Sequence, residues 1–180
     1  MKKTLLLLSI ITLFVSCKTY LESTKLSDYN KKIEGNLNVY IAIATDNKQK
    51  QKWVNAFKNN LTKSLTSRGI TPEIVVFEVD VENNTHTFGP EDLKTTNPNG
   101  LTLLIKEDVF TTYGGPGGAG LKDAKFTVTL HDKNIDKNIW TTQLRGLFGN
   151  VLGGMSASAK TACIELIGTL NHYGLLPEKQ

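Results

Sequence analysis

The sequence predicts an α+β domain. It is a two-layer sandwich in which a mostly antiparallel sheet of four or five strands carries two helices on one face, in the order β-α-β-β-β-β-α. Three observations predict it. Short runs rich in β-branched residues recur along the chain, two longer segments carry apolar residues at three- and four-residue spacings, and Gly-, Asn- and Asp-rich clusters separate them. Two amphipathic helices lying on one face of a sheet bury both stripes economically.

The first strand is Val39-Tyr40-Ile41-Ala42-Ile43-Ala44, a continuous apolar run of the kind that is buried on both faces. Asp46 or Asn47 can cap the helix that follows. In that helix Trp53, Val54, Phe57, Leu61 and Leu65 form one stripe, and Gly69 marks its end. Burying five such side chains contributes on the order of 1.5–3 kcal/mol each before entropy is subtracted. The second strand, about Ile74 to Val79, has Pro72 at its entrance, which suits an unpaired or edge position. Residues Val81 to Gly100 are polar and turn-rich, with one helical turn expected at Gly89 to Leu93. Leu101 to Lys106 is a third strand. Ala124 to His131 alternates cleanly, and with a turn between Asp132 and Asn138 and a strand from Ile139 to Arg145 it makes the clearest hairpin in the chain. The last helix places Met155, Ala159, Ala162, Cys163, Leu166, Ile167 and Leu170 on one face and stops at Gly174, followed by Leu175 and Pro177.

The chain has 180 residues, two cysteines and three histidines, with 39% hydrophobic and 21% charged residues. That composition excludes a disulfide scaffold, a Cys/His zinc module and a disordered chain, and it allows one domain. The N-terminus is a targeting segment. A basic start, Lys2-Lys3, precedes the apolar stretch Thr4 to Val15, then Ser16 and Cys17. The stretch is shorter than the roughly 20 helical residues a bilayer needs and has the size of a signal-peptide core.

Leu13-Phe14-Val15-Ser16-Cys17 resembles a bacterial lipobox, with Phe14 where that class usually has Leu. The resemblance implies a signal peptide over residues 1–16 and a Cys17 that carries lipid as the new N-terminus. Lys18 stands where an Asp would signal inner-membrane retention, so the outer membrane is the expected destination. The domain should face the periplasm, with exposure at the cell surface as the alternative. Without Lys2 and Lys3 the mature chain carries 19 basic and 17 acidic residues, a net charge of +2. No basic stripe interleaved with aromatics is present, so nucleic acid is not an expected partner. Cys163 is then the single thiol of the mature chain. The polar segment from Cys17 to Asn36 reads as a tether of about 20 residues, the alternative being that Tyr20, Leu21 and Leu26 dock part of it on the domain. Extended, it would reach about 65 Å. As a flexible coil it would average about 25 Å. Residues 37–180 are the globular domain.

Few residues of the chain form a pattern that carries chemistry. His86, His131 and His172 pair with no other ligand at metal spacing, so neither metal nor cofactor is expected. No GxSxG or SxxK motif is present. Cys163 sits in the apolar stripe of the last helix, where it reads as a small core residue rather than a nucleophile. Glu78, Asp80, Glu82, Glu91 and Asp92 read as a solvated surface. The sharpest local feature is the run Tyr113-Gly114-Gly115-Pro116-Gly117-Gly118-Ala119-Gly120, which lacks the Lys-Ser/Thr and the helix of a phosphate-binding loop. It is either a connector between strands or a loop that contacts a partner through Tyr113, Gly114, Gly115, Pro116, Gly117, Gly118 and Gly120. A second Gly-rich stretch, Gly146 to Met155, is expected as a loop over the core or an apolar patch.

The element order, the strand pair ending in Asp132 to Trp140 and the final Leu170 to Leu175 resemble small lipoproteins of outer-membrane assembly systems. Examples are the lipopolysaccharide-assembly accessory lipoproteins, the periplasmic part of the curli-secretion lipoprotein and several uncharacterised exported families. The resemblance spans about Val39 to Leu175 and carries over no catalytic residue. The expected function is therefore non-enzymatic: a lipid-anchored domain that binds a protein or assembly partner in the cell envelope. The alternative is an exported small-ligand-binding protein or hydrolase with a composite site.

Overall fold

The computed structural model describes residues 22–44, 48–79, 100–113, 121–148 and 154–179. Its elements are β1 (Ser23–Lys25), β2 (Asn36–Ala44), α1 (Lys48–Thr66), β3 (Thr71–Val79), β4 (Leu101–Tyr113), β5 (Leu121–Asp132), β6 (Lys137–Phe148) and α2 (Gly154–His172). The fold is α+β, but the sheet has six strands rather than four or five, in the order β1-β6-β5-β4-β2-β3. It is also mixed: β2 pairs in parallel with both β3 and β4, and the remaining pairs are antiparallel. The parallel pairing of β2 with β3 follows from α1, which carries the chain from β2 back to the start of β3.

Leu37, Val39, Ile41, Leu103, Ile105, Phe126, Val128, Leu130 and Leu144 project from one sheet face into a single core. The helices bring Trp53, Phe57, Leu61, Leu65, Ala159, Cys163, Leu166 and Leu170 to it. At its centre Trp53 stacks on Phe57 (5.0 Å between centroids) and Phe126 (5.4 Å), with Phe148 tilted against it at 5.3 Å. Both helices end in the same way. Gly69 and Gly174 take positive φ, and the residue after each donates back to the last turn (Ile70 N to Leu65 O, 3.2 Å; Leu175 N to Leu170 O, 2.9 Å).

Three local expectations change. The polar segment read as a tether to Asn36 joins the fold from Ser23 onward. β1 pairs with the middle of β6, and Tyr29 and Ile33 are buried in the core. A three-residue Ser-Thr-Lys strand has no hydrophobic period of its own; the exposed edge of β6 supplies its hydrogen bonds. The stretch Gly146 to Met155 is not wholly a loop, because Gly146 to Phe148 complete β6 and α2 begins at Gly154. The strands on either side of the Gly-rich run are longer than expected, with Tyr113 opposite Leu121. The turn expected at Gly89 to Leu93 and the caps at Asp46 and Asn47 lie outside the described residues.

Candidate functional site

Two regions of this fold hold functional groups together: the end of the sheet where the Gly-rich segments attach, and the N-terminal segment docked along the β1 edge.

Register defines the first. The last residues of β2 and β3 are paired (Ala44 with Val79), Tyr113 of β4 faces Leu121 of β5, and Lys122 faces Phe148 of β6. The strand ends that bound residues 114–120 and 149–153 therefore lie at one end of the sheet. The sequence treats these two Gly-rich features separately, and the topology brings their flanks together. Of the proposed contact residues, Tyr113 is in β4, while Gly114, Gly115, Pro116, Gly117, Gly118 and Gly120 lie outside the described residues, as does Cys17.

Below this end sits a buried ion pair. Lys50 Nζ lies 2.9 Å from Glu107 Oε1, with both side chains at most 5% exposed. Lys50 occupies the first turn of α1, where the helix dipole disfavours a cation. Glu107 points from β4 into the helix-covered layer, opposite Phe126. The bulge directly after it leaves Asp108 on the solvent side, accepting from Thr127 Oγ1 at 2.5 Å. Removing either partner would leave a buried charge without its counter-ion, a loss of roughly 3–5 kcal/mol.

The second region starts at Glu22. Its carbonyl accepts from Thr142 Oγ1 at 2.8 Å, Ser23 O accepts from Tyr173 Oη at 2.9 Å, and Lys25 Nζ donates to Tyr173 O at 2.9 Å. Leu26 N donates to the carbonyl of Ile139, the extra residue of a bulge in β6. Further on, the Tyr29 hydroxyl donates to Asp132 Oδ2 at 3.1 Å, and the Asp132 Oδ1 accepts from Asn134 N at 2.9 Å, which shapes the β5–β6 turn. Burial, then the Asp132 charge and this hydrogen bond, raise the Tyr29 pKa well above the ordinary phenol range. A cleft of about 680 Å³ opens between Tyr29, Lys31, Lys32 and Glu34 on one side and Asn134 on the other. A second, of about 500 Å³, lies along the β1–β6 edge and is lined by Glu22, Ser23, Thr24, Thr141, Thr142 and Gln143.

The reactive side chains considered from sequence are placed as follows. Cys163 is 1% exposed, with Sγ 3.9 Å from Ser64 Oγ. Burial pushes its thiol up to about 11, against a smaller opposing effect of the Ser64 contact. That is the setting of an inert thiol. His131 Nδ1 contacts Asn138 Oδ1 at 3.1 Å, and its Nε2 lies 3.6 Å from Asp136 Oδ1. His172 meets the Tyr173 ring edge-on. His86, Asp80, Glu82, Glu91 and Asp92 lie outside the described residues. Among the described residues, no three of His, Cys, Asp and Glu are grouped to hold a metal ion.

Sequence reasoning missed the Lys50–Glu107 pair, the Tyr29–Asp132 contact and the docking of the N-terminal segment through β1, Tyr29 and Ile33. A signal for the first was present: Lys50 sits on the Trp53–Phe57–Leu61 stripe, and Glu107 continues the Leu103–Ile105 alternation.

No protein-family model matches the sequence, and no curated protein matches it. Solved structures align with it. The PelC dodecamer from Paraburkholderia phytofirmans aligns with a TM-score of 0.51 at 12% identity, over 88% of this chain and 97% of that one. A minor lipoprotein from Acinetobacter baumannii aligns at 0.43 and 11% identity, over 79% and 95% of the two chains. Lipoprotein GNA1162 from Neisseria meningitidis aligns at 0.43 and 16% identity, over 75% and 98%. At such identities the likeness to PelC is one of fold.

Proposed function

We propose that this chain is a lipid-anchored cell-envelope protein of the outer membrane, facing the periplasm, whose domain is a non-enzymatic binding or assembly-accessory module. The observation that carries the reading is the N-terminus: a basic start, an apolar stretch of signal-peptide size and Ser16-Cys17, followed within a few residues by chain built into the fold. The chemistry of the candidate groups supports a non-enzymatic role. The Cys163 thiol is buried with a raised pKa, and His131 is committed to Asn138. The partner would be an envelope protein, held at the sheet end bounded by Tyr113 and Phe148, where the Gly-rich run is anchored.

Crosslinking in the native envelope tests this. The intact chain should capture a discrete protein. A variant with Gly114–Gly120 replaced by a two-residue turn should lose it while keeping its melting temperature, since closure entropy changes by only about 1 kcal/mol. Capture that survives the shortening would show the run to be a connector, and loss of folding would show that it packs into the core. A second reading, small-ligand binding or hydrolysis, draws on the 680 Å³ cleft beside Tyr29. It would be favoured by a small molecule that raises the melting temperature of the wild-type chain and has no effect on Lys31→Ala/Lys32→Ala.

A further inference from the structure

We propose that the β1–β6 edge of the sheet is the surface this domain turns toward the lipid headgroups, held there by a connection too short to let the opposite edge approach the bilayer. The inference rests on lipid attachment at Cys17.

Reach decides the orientation. With the segment to Asn36 free, the domain could take any orientation. But Glu22 is fixed to β6 through its carbonyl, and Ser23 to α2's end through the Tyr173 hydroxyl. Five residue steps separate Glu22 from Cys17, which at full extension is about 17 Å. The β3 edge lies five strand positions from β1. At about 4.8 Å per strand that is about 24 Å, beyond the reach of the connection even before it has to pass around the sheet.

Direction and chemistry agree. β1 is antiparallel to β6, so the chain upstream of Ser23 points toward the Phe148 end of β6, along the part of that strand beyond its pairing with β1. The groove at that edge is lined by Glu22, Ser23, Thr24, Thr141, Thr142 and Gln143, all hydroxyl, amide or carboxylate side chains. Beside it Arg145 of β6 pairs with Asp123 of β5, with Arg145 Nε 2.7 Å from Asp123 Oδ2. Such a surface is polar and balanced in charge. It suits contact with hydrated headgroups, not insertion among acyl chains, so the acyl chains supply the affinity and the edge supplies the orientation. The β3 edge is then left facing away from the membrane.

The test uses the lipidated full chain reconstituted into vesicles of phosphatidylethanolamine and phosphatidylglycerol. A fluorophore is placed at Gln143→Cys on β6 or at Glu73→Cys on β3, both exposed positions, and quenched by a headgroup spin-labelled lipid. The Gln143 label should be quenched and the Glu73 label should not. Inserting about 20 Gly/Ser residues between Leu21 and Glu22 adds about 25 Å of flexible reach. It should abolish the difference while the protein still floats with the vesicles. Equal quenching at both positions, or a difference that survives the insertion, overturns the proposal while leaving lipid anchoring intact. A full chain that does not float with vesicles at all removes the anchor, and the orientation with it.

Discussion

Gly146 offers a quantitative test of how this core is built. It lies in β6 under the aromatic cluster, and a Cβ there would stand 3.0 Å from Phe126 Cε2, 3.1 Å from Trp53 Cζ2 and 3.3 Å from Phe148 Cε2. Each ring would have to yield by a few tenths of an ångström. None has room to do so independently, because Trp53 is stacked against Phe57 and Phe126 and touched by Phe148. Overpacking of this kind costs roughly 1–3 kcal/mol. Replacing Gly in a strand recovers about 0.5–1 kcal/mol of backbone entropy. Gly146→Ala should therefore destabilise by about 1 kcal/mol on balance, a few degrees in melting temperature at about 2–4 °C per kcal/mol for a chain of this length. Gly168→Ala is the control. It sits within α2 with nothing within 4 Å of its Cβ position, and should stabilise by about 1 kcal/mol. The assay is urea unfolding of the Cys17→Ser mature chain, with near-ultraviolet circular dichroism to follow the packing of Trp53. Equal or greater stability of Gly146→Ala would refute the claim that the aromatic cluster is locked, as would an unchanged aromatic signal combined with unchanged stability.

Three further outcomes follow from the same packing. Cys163 should react slowly with thiol reagents in the folded protein and rapidly after denaturation, and Cys163→Ala should cost roughly 1 kcal/mol. Because the folded thiol titrates near 11 rather than 9.0, its contribution is complete below pH 9 and is lost as pH rises to about 11. Two pK steps correspond to about 2–3 kcal/mol. The Cys163→Ala variant should show a correspondingly shallower fall in alkaline stability, and identical slopes would contradict the burial. Tyr29→Phe removes the donor to Asp132 Oδ2 and should destabilise by about 1–3 kcal/mol, with faster amide exchange in residues 26–33 than elsewhere. Uniform exchange would mean that the contact does not hold the segment.

What could be read from the sequence was whatever is encoded within one element. The Trp53–Leu65 stripe, the hairpin around Asp132 to Asn138, the stop at Gly174 and the burial of Cys163 depend on neighbours three or four residues away, or directly across a short turn. Sheet order and strand direction do not. The position of β2 between β3 and β4, parallel to both, is decided by α1's return and by segments far apart in the chain. β1 was invisible for the same reason: Ser-Thr-Lys is a strand because β6 has a free edge at Trp140 to Thr142. The Lys50–Glu107 pair was hidden by treating charges as surface markers, although each sits in phase with an apolar pattern. For the site, the sequence indicated Cys17 and the Gly-rich run, of which Tyr113 alone lies among the described residues. The structure adds the strand ends that bound the run and the docking of the chain from Glu22 onward.

The most direct test of the central claim is the intact mass of the mature protein isolated from membranes. The account predicts a chain that begins at Cys17, carries the added mass of acyl chains and yields Cys17→Ser protein in the soluble fraction. A mature chain with a free Cys17 thiol, or one that begins at another residue, would contradict it.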